Sequence, residues 1–323
     1  MTMRVAVLDD WQRIAEGSAD WSPLKARAEV VFFHEAFASE DEAAEKLADF
    51  DVLMTMRERT AFPSSLVARL PRLKLFAMTG QRGSTLDLAG MMKRGITVSF
   101  TSGSDTGNGT AELALGLMMA AARNIVQGDA AIRAGRFQEG VAAGPELAGK
   151  TLGLIGLGRI GQNMARFGKA IGMEILAWSP NLTEARAAEG GATFCAKDEL
   201  LARADVVSLH IVLSDRTRGL LGARELGLMK SGAILINTSR GPLVDEAALI
   251  AALQAGGIIA ALDVYDREPL PSDHPLRRLP NTVLTPHLGY GTSQTFAEFY
   301  RQSIENVLAF LDGAPIRLLK PAQ

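Results

Sequence analysis

The chain has 323 residues, with 34 basic and 36 acidic side chains and 47% hydrophobic residues. This length predicts about two domains, and the composition excludes wholesale disorder, collagen-like sequence and low-complexity chains. The net charge of −2 provides no global attraction to nucleic acid or to an anionic membrane, so we expect neither as a partner.

The cysteine content and the apolar runs predict a cytoplasmic protein. The single cysteine, Cys195, excludes an internal disulfide and a thiolate zinc cage, as is typical of a reducing compartment. Residues 1–10 lack the basic segment and apolar core of a secretory signal. The longest strongly apolar run, residues 113–122, is much shorter than the roughly 20 residues of a membrane span.

Apolar, β-branched runs alternate with helix-periodic segments along the whole chain, which predicts βαβ units and parallel sheets of the α/β class. In the first part, strands are predicted at residues 4–8, 29–33, 52–56, 73–78 and 96–100. The clearest helix is predicted over residues 39–50, where Ser39 and Glu42 have capping-box spacing.

A polar, glycine-rich stretch at residues 101–109 predicts a crossing between two domains. A long helix is predicted next, over residues 110–126. Further strands are predicted at residues 151–155, 173–178, 192–194, 205–210, 233–237, 258–264 and 282–285, and a last helix at 293–311. Seven strands are enough for a complete dinucleotide-binding sheet.

The run Gly156-Leu157-Gly158-Arg159-Ile160-Gly161 lies between a predicted strand and a helical segment. In this context a GxGxxG motif predicts a dinucleotide site. The first glycine permits the tight turn, the second allows the pyrophosphate to approach the backbone, and the third permits close helix packing. Amides at the helix N-terminus then bind the phosphates. The alternative is a glycine-rich turn that binds nothing.

A dinucleotide fold for NAD usually has a carboxylate at the end of its second strand, where it binds the adenosine ribose. Here that position reads Ser179-Pro180-Asn181 and carries no acid. Without this negative charge a 2′-phosphate is not repelled, and Asn181, Thr183 and Arg186 can donate hydrogen bonds to it. We therefore favour NADP or dual use over NAD, although a hydroxyl also serves a bare ribose.

Three further residues follow apolar strands, where ligand sites of open α/β sheets lie. Arg240 can form bidentate hydrogen bonds with a carboxylate or a 2-oxo acid. The alternative is that it caps the next helix or pairs with Asp245. Glu268 and His287 follow the next two strands. A carboxylate beside a histidine favours the charged imidazolium, which makes a proton donor for a carbonyl that is being reduced.

These segments resemble the D-isomer-specific 2-hydroxyacid dehydrogenases, a family that includes D-3-phosphoglycerate dehydrogenases and glyoxylate or hydroxypyruvate reductases. The matching segments are Gly149 through Gly161, Asp205 through His210, Met229 through Gly241, Ala261 through Tyr265 with Glu268-Pro269, and Thr285 through Gly289. The resemblance implies a Rossmann dinucleotide-binding domain at residues 101–288. It also implies a smaller, discontinuous, flavodoxin-like substrate-binding domain formed by residues 1–100 and 289–323.

The resemblance also implies roles for individual residues. Arg240 would bind and polarise the 2-oxo acid, His287 would be the acid/base, and Glu268 would hold and charge it. The implied cofactor contacts are Thr110, Gly156, Gly158, Arg159, Ile160, Gly161, Ser179, Pro180, Asn181, His210, Ile211, Val212, Thr217, Thr238, Ser239, Asp263 and Gly289. No metal is expected.

The substrate loop departs from the family pattern. Family members bind the substrate carboxylate with backbone amides of a glycine loop, which here reads Thr79-Gly80-Gln81-Arg82-Gly83-Ser84-Thr85. Arg57, Gly80, Arg82 and Gly83 are candidate substrate contacts. Together with Arg59, these arginines would suit a second carboxylate or a phosphate. The alternative is that Arg57 and Arg59 are solvated charges paired with Glu58.

The leading hypothesis is therefore hydride transfer between a nicotinamide cofactor and a D-2-hydroxy acid/2-oxo acid pair. The alternative is a dinucleotide-sensing interaction protein, because corepressors share this fold and triad. A formate dehydrogenase is disfavoured, since that relative has glutamine in place of Glu268. The family expectation is a homodimer, with the helix over residues 110–126 near its interface.

Overall fold

The computed structural model describes residues 2–57, 59–80, 85–102 and 107–319. Contacts divide the chain into two units. The terminal unit comprises Met1–Asp105 and Thr292–Gln323, and the central unit comprises Thr106–Gly291. Each unit is built on one parallel sheet, which confirms the predicted α/β class with two parallel-sheet domains.

The terminal unit has a five-stranded sheet in the order β2-β1-β3-β4-β5, which is the flavodoxin-like order. Its strands are β1 (Met3–Val7), β2 (Ala28–Phe32), β3 (Val52–Thr55), β4 (Leu75–Thr79) and β5 (Thr97–Thr101). Its helices are α1 (Ala15–Ser18), α2 (Ser22–Lys25), α3 (Glu40–Leu47), α4 (Ser64–Ala68), α5 (Leu88–Lys93) and the C-terminal α13 (Ser293–Leu311). Every residue of β3 and β4 is buried, as expected for central parallel strands covered on both faces.

The central unit has a seven-stranded sheet in the order β12-β11-β10-β9-β6-β7-β8. Its strands are β6 (Thr151–Ile155), β7 (Glu174–Trp178), β8 (Thr193–Phe194), β9 (Val206–Leu209), β10 (Ala233–Asn237), β11 (Ile258–Leu262) and β12 (Thr282–Leu284). Its helices are α6 (Asn108–Ala122), α7 (Ile125–Arg133), α8 (Arg159–Ala170), α9 (Glu184–Glu189), α10 (Lys197–Arg203), α11 (Ala223–Leu228) and α12 (Glu246–Gln254), with 3₁₀ turns at Gly241–Leu243 and Pro275–Arg278. Counted from β6, this is the Rossmann order with one added edge strand.

One predicted helix is wrong in its extent. The helix expected over residues 110–126 ends at Ala122, and a second helix, α7, starts at Ile125. The break lies at Asn124, whose φ of 51° is left-handed and therefore cannot continue a right-handed helix. The Asn124 side chain donates to the carbonyl of Ala142 at 2.9 Å, which holds this residue outside both helices.

The other differences are short shifts at element ends. The strand predicted over residues 258–264 stops at Leu262, so that Asp263 begins a loop. The predicted helix over residues 39–50 is α3, and Ser39 caps it by accepting from the Glu42 amide. The Glu42 carboxylate reaches back to the amide of Ala38 at 2.6 Å instead of to Ser39. In the part of the chain that the structure describes, no helix has the length and apolar character to cross a membrane.

A carboxylate ties the start of a central strand to its neighbours in each sheet. Asp51, directly before β3, accepts the amide of Arg4 at 3.0 Å and pairs with Arg72 and Lys74. Asp205, directly before β9, accepts the amide of Thr151 at 2.9 Å and pairs with Lys230. Burial alone would raise the pKa of Asp51, but the Arg4 amide and the two cations hold it below its ordinary value. Both sheets therefore use an ionised carboxylate to fix the register of a strand pair.

We expect Asp51→Asn to lower the free energy of unfolding by about 1–3 kcal/mol, because it weakens charged hydrogen bonds at a buried position. Asp51 is 2% exposed. Since folding lowers the pKa of Asp51, its contribution is present above the ordinary carboxyl pKa of about 4 and is lost as the pH falls through the folded-state pKa. Urea unfolding of both proteins at pH 7 and at decreasing pH measures this difference.

The control is Asp49→Asn, which changes an exposed aspartate two positions away. Equal stability of the Asp51 and Asp49 variants at pH 7 would contradict the proposed role of Asp51.

Candidate functional site

Three neighbouring strands of the central unit end beside the residues that carry the predicted chemistry. Strands β10, β11 and β12 are parallel and adjacent, so their carboxyl ends share one edge of the sheet. Arg240, Glu268 and His287 lie in the loops that follow these strands. The topology therefore brings these three residues, which are far apart in the sequence, to the same edge.

His287 and Glu268 form a direct pair. The Nδ1 atom of His287 lies 2.6 Å from Oε2 of Glu268, and both side chains are about one-third exposed. The other carboxylate oxygen accepts the amide of Tyr265 at 2.9 Å. Burial alone would raise the pKa of Glu268, but the hydrogen bond and charge of His287, the Tyr265 amide and the Arg240 charge hold it below its ordinary value. Glu268 is therefore an ionised partner for the imidazole.

The loop that carries His287 is shaped by Asp263. This residue is 0% exposed, and its carboxylate accepts the hydroxyl of Thr285 at 2.6 Å and the amides of Leu288 and Gly289 at 2.7 and 2.8 Å. The amide of His287 donates to the Asp263 carbonyl at 2.8 Å. His287 has a φ of 55°, an uncommon conformation for a residue with a side chain. The contacts with Asp263 therefore hold the imidazole in one orientation.

Arg240 follows β10 in a turn that the side chain of Asn237 closes. The Asn237 amide donates to the Arg240 carbonyl at 2.9 Å, and its oxygen accepts the amide of Ser239 at 3.0 Å. A Cβ atom on Gly241 would lie 2.1 Å from the carbonyl carbon of Tyr265, so only glycine allows the turn to pack against the loop that leads to Glu268. The alternative partner, Asp245, caps α12 by accepting the Ala248 amide at 2.8 Å.

The glycine motif forms a tight turn between β6 and α8. Gly156 has a φ of 102°, and a Cβ there would lie 2.3 Å from the His210 carbonyl oxygen. A Cβ on Gly161 would lie 2.2 Å from the Gly156 carbonyl oxygen, whereas one on Gly158 would meet nothing within 4 Å. Packing inside the protein thus explains Gly156 and Gly161. Gly158 leaves open space at the N-terminus of α8, which fits a phosphate group.

The end of β7 lies beside this turn, because the Gly156 amide donates to the Trp178 carbonyl at 2.8 Å. Ser179 is half-buried there, and Pro180 and Asn181 are exposed. The guanidinium of Arg186 lies 3.4 Å from the Asn181 carbonyl oxygen. Arg186 therefore places a cation beside Asn181.

Thr110 and Gly289 are joined by a hydrogen bond of 2.9 Å. Thr238 is buried, and its hydroxyl has no hydrogen-bond partner among the described residues, whereas the Ser239 hydroxyl donates to the Leu209 carbonyl at 2.7 Å. A buried polar atom without a partner at a predicted cofactor contact fits a bound ligand. Together with the space at Gly158, these residues fit a dinucleotide.

The segment after β9 packs against the glycine turn at His210 and closes its own loop through Thr217. His210 bonds to the Ser208 hydroxyl through Nε2 at 2.8 Å, and burial lowers its pKa to about 4, so it is a neutral imidazole. Ile211 is half-buried and Val212 is 73% exposed. The Thr217 hydroxyl donates to the Val212 carbonyl at 2.7 Å, which is a contact within the loop and not one with the glycine motif.

The predicted substrate contacts lie in the terminal unit. The structure brings Arg57 and Gly80 together: a Cβ on Gly80 would lie 2.7 Å from a guanidinium nitrogen of Arg57. The amide of Arg57 donates to the Thr79 hydroxyl at 2.6 Å. Arg59 instead contacts the Asp9 carbonyl at 2.7 Å. Arg82 and Gly83 lie outside the described residues.

Sequence reasoning missed two residues that shape the site, Asn237 and Gly241. The available signal for Asn237 was a polar residue that ends an otherwise apolar strand. Gly241 carried no local signal beyond its type, because its constraint comes from the backbone of Tyr265. Within the described ranges, no group of three or more histidine, cysteine, aspartate or glutamate side chains is placed to hold a metal ion.

Comparisons with known proteins agree with this geometry. The family model described as "D-isomer specific 2-hydroxyacid dehydrogenase, NAD binding domain" matches residues 115–289. The glyoxylate reductase of Aeropyrum pernix is 41% identical over 256 residues, which cover 77% of this chain and 76% of the reductase. The D-3-phosphoglycerate dehydrogenase of Archaeoglobus fulgidus is 36% identical over 280 residues, 86% of this chain, but this match spans only 53% of the relative's length.

Among solved structures, a phosphoglycerate oxidoreductase from Vibrio cholerae O395 superposes with a TM-score of 0.91 at 38% identity, covering 97% of this chain and 100% of that protein. The predicted resemblance is therefore confirmed by sequence and by fold. The chain belongs to the D-isomer-specific 2-hydroxyacid dehydrogenase family.

Proposed function

We propose that this protein is an NAD(P)-dependent oxidoreductase that interconverts a D-2-hydroxy acid and its 2-oxo acid. The observation that carries the proposal is the Glu268–His287 pair, with Nδ1 and Oε2 2.6 Å apart, on the same sheet edge as Arg240. A positioned proton donor and a guanidinium are the two groups that reduction of a 2-oxo acid requires from the protein.

A bound nicotinamide supplies or accepts the hydride at C2 of the substrate. Arg240 binds the carboxylate and the O2 atom, and its positive charge stabilises the negative charge that develops on O2. Because Nδ1 of His287 faces Glu268, Nε2 is the atom that gives a proton to O2 during reduction and removes it during oxidation. The ionised Glu268 stabilises the imidazolium and fixes its orientation.

We propose that the cofactor is NADP, or that NAD and NADP are both used. Ser179 stands where the ribose-binding carboxylate usually lies. Arg186, five residues after Asn181, supplies a cation beside the Asn181 carbonyl oxygen. A guanidinium next to this position favours a 2′-phosphate.

Three further features belong to the same proposal. The terminal unit is the substrate-binding domain, where Arg57 and Gly80 contact the substrate together with Arg82 and Gly83. The protein is a homodimer, for which the exposed apolar residues Ile125 and Val126 (54% and 49% exposed) at the start of α7 provide a surface. Its location is the cytoplasm, in keeping with the single cysteine.

A spectrophotometric assay tests the reaction class. NADH and NADPH oxidation are followed separately with glyoxylate, hydroxypyruvate, phenylpyruvate, oxaloacetate and 3-phosphohydroxypyruvate. We expect turnover with at least one 2-oxo acid. Dinucleotide binding without turnover on the whole panel would favour the sensing alternative.

We expect His287→Ala to lower kcat by at least about 100-fold, because it removes the proton donor, while cofactor binding changes little. Stopped-flow or steady-state kinetics and fluorescence titration with NADPH measure the two effects. The matched control is His274→Asn, which alters another histidine–glutamate pair of the central unit, His274 with Glu246 at 3.1 Å. If the His287 variant kept the activity of this control, His287 would have no role in the chemistry.

Ser179→Asp is expected to shift the ratio of kcat/KM values from NADPH toward NADH by about 10-fold or more, because the new carboxylate repels a 2′-phosphate and accepts from a free ribose. Ser179→Asn is the control, since it adds similar bulk without charge. An equal shift in both variants would indicate a steric effect and would remove Ser179 from cofactor selection.

A further inference from the structure

Tyr265 contacts all three loops that follow β10, β11 and β12, and the proposed reaction does not use its hydroxyl group. It is 8% exposed and is the third residue after β11. Its backbone packs against Gly241 in the loop after β10. Its hydroxyl donates to the carbonyl of Thr285 at 2.9 Å, and the Leu262 carbonyl oxygen is a more distant neighbour at 3.3 Å. Because Thr285 directly follows β12, the phenol joins the ends of two adjacent strands.

The two ends of Tyr265 hold the two partners of the histidine–glutamate pair. Its amide donates to Oε1 of Glu268 at 2.9 Å, and Oε2 of the same carboxylate lies 2.6 Å from Nδ1 of His287. Its hydroxyl binds Thr285, which lies two positions before His287. The ring between these two attachment points is rigid. A single residue therefore sets the separation between the glutamate and the loop that carries the imidazole.

The phenol supplies a hydrogen bond that Asp263 cannot supply. The carboxylate of Asp263 accepts the Thr285 hydroxyl and the amides of Leu288 and Gly289. An ionised carboxylate has no proton to donate, so it cannot bind the Thr285 carbonyl, which needs a donor such as a hydroxyl. Burial and the negative charges of Asp263 and Glu268 raise the pKa of the Tyr265 hydroxyl. The phenol therefore keeps its proton and remains a donor at neutral pH.

We propose that Tyr265 is a positioning residue for proton transfer, and that its amide and its hydroxyl together keep Glu268 and His287 at the separation at which they are hydrogen-bonded. The inference rests on the proposed function and deepens it. Tyr265 acts through His287 and exchanges no proton with the substrate. Loss of its hydroxyl should therefore lower the rate of the chemical step and leave cofactor binding unchanged.

Tyr265→Phe tests this role, because it keeps the ring and removes only the donor. We expect kcat for reduction of the best 2-oxo acid to fall by about 3- to 10-fold, since the loop of His287 loses one hydrogen bond and the imidazole is held less precisely. Fluorescence titration with NADPH is expected to give a dissociation constant within about twofold of the wild-type value. Tyr300→Phe is the matched control, because it removes the hydroxyl of a buried tyrosine in the terminal unit.

A double-mutant cycle separates positioning of the histidine from general stabilisation of the fold. Tyr265→Phe is combined with His287→Ala, and the residual activity is measured at high enzyme concentration. If Tyr265 acts through His287, its hydroxyl has nothing left to position in this background, and we expect a further loss in kcat of less than about twofold. All assays are made at a temperature at which thermal unfolding shows every variant to be folded.

Two results would overturn the inference while the proposed function stands. One is a Tyr265→Phe variant with the kcat of the wild-type protein. The other is an equal fold-decrease in kcat in the presence and in the absence of His287, as a purely structural hydroxyl would produce. A wild-type protein without turnover on any 2-oxo acid would overturn the proposed function and the inference together.

Discussion

The buried carboxylate of Asp263 connects the sheet of the central unit to the histidine at its edge. Asp263 follows β11 and binds one hydroxyl and two amides of the loop after β12. Burial raises the pKa of Asp263, and these three hydrogen bonds, with the charge of His287, oppose that effect. Because two neighbouring strands are tied together at this point, the left-handed conformation of His287 persists and its ring keeps its contact with Glu268.

The arginine side of the site depends on close backbone packing and not on charge. The absence of a side chain at Gly241 lets the turn after β10 touch the backbone of Tyr265 and Asp266, and the amide of Tyr265 binds Glu268. Asn237 holds the same turn from the β10 side. Arg240 and Glu268 therefore occupy fixed places because β10 and β11 are adjacent and their loops are packed without a gap.

Features that depend on local sequence could be predicted, and those that depend on distant backbone could not. Apolar runs and the glycine motif located the strands to within about two residues, because these signals lie within each element. The helix break at Asn124 could not be predicted, because the periodicity of apolar residues carries no information about a single left-handed residue. The requirement for glycine at position 241 could not be predicted either, because it comes from the backbone of Tyr265, 24 positions later in the sequence. The burial of Asp9 depends on the packing of β1 against β3 and is likewise invisible in the sequence.

Several residues of this fold have a left-handed backbone conformation, which lowers the stability of the folded state. Six described residues other than glycine have a left-handed φ. Three of them, Asp9, Arg57 and His287, with φ values of 62°, 55° and 55°, lie within three residues of the end of a strand. Such conformations cost about 1–3 kcal/mol each and persist only where the surroundings enforce them. The Thr79 hydroxyl holds the amide of Arg57, and the Asp263 carbonyl holds that of His287. The hydrogen bonds at these strand ends offset the cost of the left-handed conformation, and each polar side chain is thereby held in one orientation.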